Sequence, residues 1–235
     1  MCIRDSAKGL LKGFSCEKLD IPVPVPLGCP CLFIPKKVDP VTGVRQWRMV
    51  ISYVKLNSKT MNKIAYRLPR IADLLLRVSR SRICSKLDLL SGFYQIRMRP
   101  EDVEKTSFAT PFGNYHFHVM PMGLCGAPGT FQNAMDQASH APATIQGTSV
   151  PFINFLQIYL DDLCIHSETI EYLILHLRAV LERLRMQMYY VKPSKCEFAR
   201  TTIEFLGHTI GPTGMSITTS RIDVFTTMAR TIQLA

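Results

Sequence analysis

Apolar runs rich in β-forming residues, separated by short polar turn segments, predict two β-hairpins in the first half of the chain. Residues 31–37 and 46–53 are rich in β-forming residues, and residues 39–43 between them carry the Pro and Gly that are typical of a turn. Residues 108–111 and 115–120 flank a Phe-Gly-Asn segment in the same way. Each pair of runs is therefore predicted to form antiparallel strands.

Apolar residues that recur every three or four positions predict helices. Residues 68–82 place Ile71, Leu74, Leu75 and Val78 on one face, and Pro69 suits the first turn. Further helices are predicted over the longer segments that share this pattern and over one short acidic segment: 100–105, 126–138 and 168–188. Residues 141–149 are predicted to be a loop.

Continuous apolar runs predict strands that carry acidic residues. Residues 83–89 form such a run around Asp88, and residues 152–160 and 163–165 flank the pair Asp161-Asp162 at a turn. Residues 205–210 are predicted to be a strand interrupted by Gly207. Strands and helices that alternate irregularly in this order predict an α+β fold.

Composition and charge narrow the class of protein. Hydrophobic residues make up 47% of the 235 residues and charged residues 20%, which indicates a folded globular chain, and no apolar stretch suits a membrane helix. The net charge is +10, and residues 36–99 hold 15 Lys or Arg against 3 Asp. Such a basic region favours a polyanionic partner such as nucleic acid, although a lysine-rich face that only promotes solubility gives the same count.

The acidic residues in apolar surroundings require an explanation. An ionised carboxylate is costly to bury unless it is paired or binds a metal ion. Asp88, Asp161 and Asp162 could share a divalent cation, and two Mg²⁺ ions about 3.5 to 4 Å apart would support phosphoryl transfer. The alternative is that Asp161-Asp162 is a polar turn and Asp88 a capping or salt-bridged acid.

An ordered set of short motifs extends this interpretation. Tyr-Leu-Asp-Asp at 159–162 follows Leu-Asp-Leu at 87–89, and the other motifs lie in order along the chain: Trp-Arg-Met-Val at 47–50, Leu-Asn at 56–57, Tyr-Arg-Leu-Pro at 66–69, Pro-Met-Gly at 121–123, Thr-Phe-Gln at 130–132, Lys-Cys-Glu-Phe at 195–198 and Phe-Leu-Gly-His at 205–208. Together they resemble the reverse transcriptase of gypsy-type LTR retrotransposons, a part of the Pol polyprotein, over about residues 25–215.

The resemblance implies a right-hand polymerase fold, with fingers and palm subdomains and a truncated thumb. Residues 25–215 are then the fingers and palm. Residues 1–24 are expected to be a non-native or poorly ordered leader, because the first six resemble a translated sequencing adapter. Residues 216–235 are expected to be the truncated start of the thumb or connection.

The resemblance also assigns roles to individual residues. Asp88, Asp161 and Asp162 match the three palm acids that hold two Mg²⁺ ions, or Mn²⁺, and Lys195 matches a lysine that protonates pyrophosphate. Phe93 matches the aromatic residue that excludes a ribose 2′-hydroxyl. The remaining matches are nucleotide-binding positions and the primer grip: Lys36 or Lys37, Arg48, Met122 and Gly123 for the nucleotide, and Phe205, Leu206, Gly207 and His208 for the primer.

Two positions depart from the family pattern. Ser52 stands where the family has Asp, and Val54 where it has Arg. The loss of both charges fits a decayed copy of the element, so a catalytically inactive nucleic-acid-binding remnant is the alternative to an active polymerase. A two-metal phosphohydrolase is a second alternative, in which Phe93 and the fingers hairpin would have no role.

The resemblance predicts partners and a location as well. The partners are an RNA or DNA template with its primer, and deoxynucleoside triphosphates, with no membrane. RNase H and integrase regions of the parent polyprotein are expected elsewhere, because no motif for either occurs in this sequence. An intracellular location is expected, in a cytoplasmic virus-like particle for an active element.

Overall fold

A computed structural model describes residues 16–18, 28–38, 45–60, 66–110, 113–212 and 214–218. Within the strands, the side chains of residues 16–18, 36, 37 and 46 are not described. The described residues fall into two compact units. The first unit draws on Met1–Ala65 and Ser91–Phe131, and the second on Tyr66–Leu90 and Gln132–Ala235.

The elements follow in chain order. The strands are β1 Cys16–Lys18, β2 Cys29–Val38, β3 Arg45–Ile51, β4 Ile83–Asp88, β5 Phe108–Thr110, β6 Gly113–Phe117, β7 Ala143–Ile145, β8 Thr148–Val150, β9 Leu156–Tyr159, β10 Asp162–Ser167, β11 Glu197–Arg200, β12 Ile203–Phe205, β13 His208–Gly211 and β14 Gly214–Ile217. The helices are α1 Val54–Lys59, α2 Ile71–Ser79, α3 Pro100–Val103, α4 Ala127–Ala138 and α5 Ile170–Met186.

The first unit is built on a sheet with the strand order β1-β6-β5-β2-β3 among the described residues. Both predicted hairpins are confirmed, since β2 pairs antiparallel with β3 and β5 pairs antiparallel with β6, while β2 and β5 run parallel. Tyr53, Phe108 and Phe117 are fully buried beside this sheet. The Tyr53 hydroxyl donates a hydrogen bond to the Thr106 carbonyl over 3.0 Å, which satisfies the buried phenol.

The second unit is built on an antiparallel sheet with the order β11-β4-β10-β9 among the described residues. The predicted helix over 68–82 is confirmed as the shorter α2, and its apolar face buries Leu74, Leu75 and Val78. These side chains pack in one cluster with Cys84 of β4 and Phe205 of β12. Their packing joins the sheet to the hairpin that follows it.

Helix α5 confirms the helix predicted over 168–188 and contacts β4 and β10. Thr169 caps its first turn, because the Thr169 hydroxyl accepts a hydrogen bond from the Tyr172 backbone N–H over 3.4 Å. Leu173, Val180 and Leu184 are buried along one face, as the spacing of four and seven residues requires.

The loop predicted over residues 141–149 is wrong. β7 and β8 form a hairpin there, and the turn residues Gln146 and Gly147 have φ values of 49° and 78°. Two consecutive left-handed residues are what a two-residue hairpin turn requires, because this turn matches the twist of the strands. In the sequence only Gly147 is typical of such a turn, because the usual first residue is Asn, Asp or Gly rather than Gln.

The strand predicted over 205–210 is also corrected. Its two halves belong to β12 and β13, which pair antiparallel around a turn at Leu206 and Gly207 with φ values of 51° and 77°. The run over 152–160 begins with a 3-10 turn, Phe152–Asn154, before β9. Helix α1 and strand β11 were not predicted from the sequence pattern.

The α+β class is confirmed by the mixture of antiparallel sheets and helices. Most of the predicted leader and most of residues 216–235 lie outside the described residues, so the proposed boundaries stay predictions. In the part of the chain that the structure describes, no helix is both long and apolar enough to cross a membrane.

Candidate active site

The three acids come together at one end of the sheet of the second unit. Asp88 ends β4, Asp162 begins β10, and the two residues are direct antiparallel partners. Side chains of directly opposed residues lie about 4.5 to 5.5 Å apart at Cβ. Asp161 precedes Asp162 in the turn from β9, and its carbonyl accepts a hydrogen bond from the Leu89 N–H over 3.3 Å. Asp88 and Asp162 therefore share one face of the sheet.

The turn that presents Asp161 has an unusual backbone. Leu160, directly before Asp161, has a φ of 53°, in the left-handed region. A residue with a Cβ pays about 1 to 2 kcal/mol for this conformation, so the surrounding contacts have to stabilise it. The strained residue adjoins the acid, which is where backbone strain is commonly found at functional sites.

Lys195 lies at the acids, as the resemblance implied. It ends the 3-10 turn Pro193–Lys195, and its Nζ lies 3.0 Å from Asp88 Oδ2. The Lys192 N–H also donates a hydrogen bond to the Asp88 carbonyl over 2.8 Å. The segment that carries the lysine is thus fastened to the end of β4.

Lys86 is a second cation at the acids, and the sequence reasoning missed it. Its Nζ lies 3.2 Å from Asp162 Oδ1 and donates a hydrogen bond to the Glu204 carbonyl over 3.3 Å. Lys86 precedes Asp88 by two residues in β4 and so points to the same face. This two-residue spacing within a predicted strand was the feature of the sequence that could have placed Lys86 beside the acids.

Asp161 differs from the other two acids because no described lysine forms an ion pair with it. Burial raises the pKa of the Asp161 carboxyl, and the charges of Asp162 and Asp88 raise it further. A hydrogen bond to its own backbone and the charge of Lys195 offset part of this increase in pKa. Negative charge is therefore undercompensated at Asp161.

The acids match a cation site in which substrate phosphates and water complete the ligand set, rather than a site formed by protein ligands alone. Among the described residues, no group of three His, Cys, Asp or Glu side chains converges on one point where a metal ion could bind. Mg²⁺ in nucleotide-handling sites is usually held by one or two carboxylates together with substrate phosphates and water. Asp88 and Asp161, with Asp162 paired to Lys86, match that smaller set of ligands.

The predicted primer grip forms the β12–β13 hairpin of the same unit. Phe205 is fully buried, whereas Leu206, Gly207 and His208 form the turn and the start of β13. The Gly207 carbonyl accepts hydrogen bonds from both the N–H and the hydroxyl of Thr218, over 3.3 and 3.2 Å. The hydrogen bond from Lys86 to Glu204 connects this hairpin to the acids.

Three of the predicted nucleotide-binding residues meet in the first unit. The Arg48 guanidinium lies 3.0 Å from the Met122 sulfur, and the adjacent Gly123 has a φ of 99°, which favours glycine. Asn57 holds this loop, because its side chain donates to the Gly123 carbonyl over 2.8 Å and accepts from the Cys125 N–H over 2.9 Å. Sequence reasoning matched Asn57 to a motif without giving it a role.

The remaining predicted nucleotide-binding positions also lie in the first unit. Phe93 lies in the 3-10 turn Gly92–Gln95 and packs on Phe131 with ring centroids 5.2 Å apart. Lys36 and Lys37 belong to β2, but their side chains lie outside the described part of the structure.

Comparison with known proteins gives the family. The family model described as reverse transcriptase (RNA-dependent DNA polymerase) matches residues 34–210. A retrovirus-related Pol polyprotein from transposon 297 of Drosophila melanogaster is 32% identical over 191 residues, which are 81% of this chain. The chain spans only 17% of that polyprotein's length.

Solved structures of similar fold support the same architecture. A foamy viral protease-reverse transcriptase in complex with dsDNA has a TM-score of 0.74 and 23% sequence identity, and the alignment covers 93% of this chain and 41% of that one. The same viral protein in complex with an RNA/DNA hybrid has a TM-score of 0.72 and 24% identity, with 93% and 26% covered. The predicted right-hand polymerase fold is thereby confirmed.

Proposed function

The chain belongs to the reverse transcriptase (RNA-dependent DNA polymerase) family, and from this premise we propose that it is an RNA-directed DNA polymerase segment. It would add deoxynucleotides to the 3′ end of a primer on an RNA or DNA template, by two-metal phosphoryl transfer. The observation that carries the proposal is the direct pairing of Asp88 with Asp162 beside the strained turn that presents Asp161. The gypsy type stays a prediction.

Asp88 and Asp161 are the proposed metal ligands, and Asp162 contributes charge next to them. Bound divalent cations would activate the primer hydroxyl and stabilise the departing pyrophosphate. The raised pKa of the Asp161 carboxyl supports this assignment, because burial and then the neighbouring charges of Asp162 and Asp88 disfavour its ionised form, as is common at functional sites. A bound cation would lower that pKa.

Lys195 is proposed to hold a proton for the leaving group. Its ammonium bonds Asp88 Oδ2 over 3.0 Å, and its side chain is 56% exposed, so a phosphate group can reach it from solvent. Lysine is a suitable general acid because it is protonated at neutral pH and carries several N–H donors.

Residues of the first unit are proposed to bind the nucleotide. Arg48 supplies a cation for the triphosphate, with Lys36 and Lys37 on the same hairpin, and the loop of Met122 and Gly123 beside Arg48 packs against the nucleotide. Phe93 is proposed to lie under the sugar and exclude a 2′-hydroxyl. The template and primer are proposed partners, because the similar foamy viral protein forms complexes with dsDNA and with an RNA/DNA hybrid.

One observation favours a second candidate, the inactive nucleic-acid-binding remnant. Ser52 and Val54 lack the charges that the resemblance implied, and the Val54 side chain is exposed at the start of α1. A fingers element without these charges would contact the template less strongly, while the basic region would still bind nucleic acid in a salt-dependent way.

Primer extension separates these functions. We expect the chain to extend a labelled primer on RNA and DNA templates with Mg²⁺ and to release pyrophosphate. Asp161→Asn should abolish most of that extension without weakening primer-template binding, whereas the matched control Asp73→Asn, at an exposed position of α2, should leave extension unchanged. Binding without any extension by the parent would favour the remnant, and release of nucleoside monophosphate would favour a phosphohydrolase.

A further inference from the structure

The turn before the acids is held by a buried glutamine on helix α4. Gln132 is 1% exposed, and its Oε1 accepts a hydrogen bond from the Leu160 N–H over 2.8 Å. Its Nε2 lies 3.4 Å from the Ile158 carbonyl. The amide therefore contacts the backbone at Ile158 and at Leu160, on both sides of Tyr159, and Leu160 directly precedes Asp161.

These contacts replace a missing neighbouring strand. Among the described residues, β9 is an edge strand of its sheet, so its outer N–H and C=O groups have no strand partner. Buried backbone groups without partners are costly. A side-chain amide has one oxygen acceptor and two N–H donors. The Gln132 oxygen and one of its N–H groups can therefore pair with the edge of β9 where the strand meets the turn.

Two further residues orient the amide. Asp136, one helical turn after Gln132, accepts a hydrogen bond from Gln132 Nε2 at Oδ1 over 3.0 Å. Its other oxygen, Oδ2, accepts from the Tyr66 hydroxyl over 2.5 Å. This hydrogen bond raises the pKa of Tyr66 to about 12, with smaller contributions from burial and from the Asp136 charge. Asp136 thus requires the nitrogen of the amide to face it, which turns the oxygen to Leu160.

We propose that Gln132, oriented by Asp136 and Tyr66, is a positioning residue that fixes the Leu160 peptide and so sets the direction of the Asp161 carboxylate. The inference rests on the proposed function, since it assigns these residues to the polymerase reaction. Leu160 has left-handed backbone geometry, and an N–H held on one side limits the ways in which this turn can relax. The network acts on the acid through the backbone, and none of its members touches the reacting atoms.

Amide hydrogen exchange and steady-state extension, on the full chain, test this network. Gln132→Leu keeps the volume and removes the hydrogen bonds of the amide to Leu160, Ile158 and Asp136. The Leu160 amide should therefore exchange up to about tenfold faster, the effect of the one hydrogen bond that it loses. The exchange of Ile165, in the interior of the sheet, should stay unchanged. The extension kcat should fall by a similar factor while the KM for primer-template stays unchanged. Gln137→Leu, an exposed glutamine on the same helix, is the matched control.

A second variant has a pH signature that a purely structural residue would not show. In Gln132→Glu the introduced carboxyl group faces Asp136, so the pair favours one shared proton. With that proton the carboxyl group can accept from the Leu160 N–H and donate to Asp136, and without it the two carboxylates repel each other. Extension by this variant relative to the parent should therefore fall as pH rises, whereas Gln132→Leu relative to the parent should be independent of pH.

Tyr66→Phe tests the far end of the network with little risk to folding, because it removes only the hydroxyl. It should accelerate Leu160 exchange and lower kcat, each by less than Gln132→Leu does, and Tyr172→Phe, at a half-exposed position, is its control. Unchanged Leu160 exchange in both Gln132→Leu and Tyr66→Phe would overturn the inference, as would a uniform acceleration at Ile165 and Leu160. If the parent extends no primer, the proposed function fails, and Leu160 exchange still decides whether the network fixes the turn.

Discussion

Replacing Lys86 tests whether the acids depend on a cation that belongs to the sheet itself. Its Nζ lies 3.2 Å from Asp162 Oδ1, and the side chains of Lys86 and Asp162 are 20% and 31% exposed. At an effective dielectric constant of about 20, two unit charges at this distance attract by roughly 5 kcal/mol before desolvation. Exposed pairs retain about 0 to 1 kcal/mol, and breaking a buried pair costs about 3 to 5 kcal/mol. We therefore expect Lys86→Met to cost about 2 kcal/mol of unfolding free energy.

The assay is a double-mutant cycle in urea without divalent cation. The variants are Lys86→Met, Asp162→Asn and the double variant, with Lys59→Met at an exposed position of α1 as the matched control. The coupling free energy between Lys86 and Asp162 should be about 2 kcal/mol, because the two groups are in direct contact. The control should change stability by less than about 0.5 kcal/mol.

The same variant makes a prediction for cation binding. Without Lys86 the charge of Asp162 is uncompensated, so added Mg²⁺ should stabilise Lys86→Met more than it stabilises the parent. A coupling energy near zero would refute the electrostatic argument for this pair. Equal stabilisation of parent and variant by Mg²⁺ would refute the claim that Asp162 contributes charge to a cation site.

Three further predictions concern the site and the fingers. Phe93→Val should raise ribonucleotide incorporation relative to deoxynucleotide incorporation in single-nucleotide extension, and an unchanged ratio would leave Phe93 as a packing residue for Phe131. Asp161 binds its proton more tightly in the folded state, because its pKa is raised there, so its contribution to stability is lost as pH rises through that folded pKa. Without metal, the melting temperature of Asp161→Asn should therefore rise relative to that of the parent as pH increases above about 4. A constant difference in melting temperature from pH 4 to 8 would contradict this. Ser52→Asp with Val54→Arg should raise primer-template affinity by more than the two single changes combined, measured by fluorescence anisotropy, whereas additive effects would remove the main support for decay at these positions.

Much of the fold follows from periodicity in the sequence. Helices α2 and α5 were predicted because each has a regular apolar face, which the structure buries, and the β2–β3 hairpin because two runs of β-forming residues flank a turn. The β7–β8 hairpin was missed because its strands have only three residues each, too few for alternation to stand out. Its turn depends on left-handed backbone at Gln146, a residue that seldom indicates such a turn.

The candidate site was less accessible to sequence reasoning. The sequence pattern placed Asp88 and Asp161 in or beside apolar strands, and the cost of burying their charge suggested a shared cation as one alternative. The resemblance then assigned them to one site. Contacts between distant segments were not predictable from local pattern: Lys195 and Asp88 are 107 positions apart, and Tyr66 and Asp136 are 70 apart. Lys86 lies in an apolar strand, where a lysine is commonly a solvated residue. Its ion pair with Asp162 on the neighbouring strand shows that it compensates the charge of the acids.

The positions of the three acids explain why the left-handed backbone occurs at Leu160, in the turn between β9 and β10. Asp88 and Asp162 lie in paired strands, where regular backbone geometry fixes their direction and each has a lysine. Asp161 is in neither strand, so its direction depends on the turn. The left-handed Leu160 sets the direction of the chain at Asp161. Because the outer edge of β9 has no strand partner among the described residues, the side chain of Gln132 on α4 holds that conformation. The undercompensated charge and the strained backbone thus have the same origin, a carboxylate placed beyond the end of β9 next to two acids that the sheet already fixes.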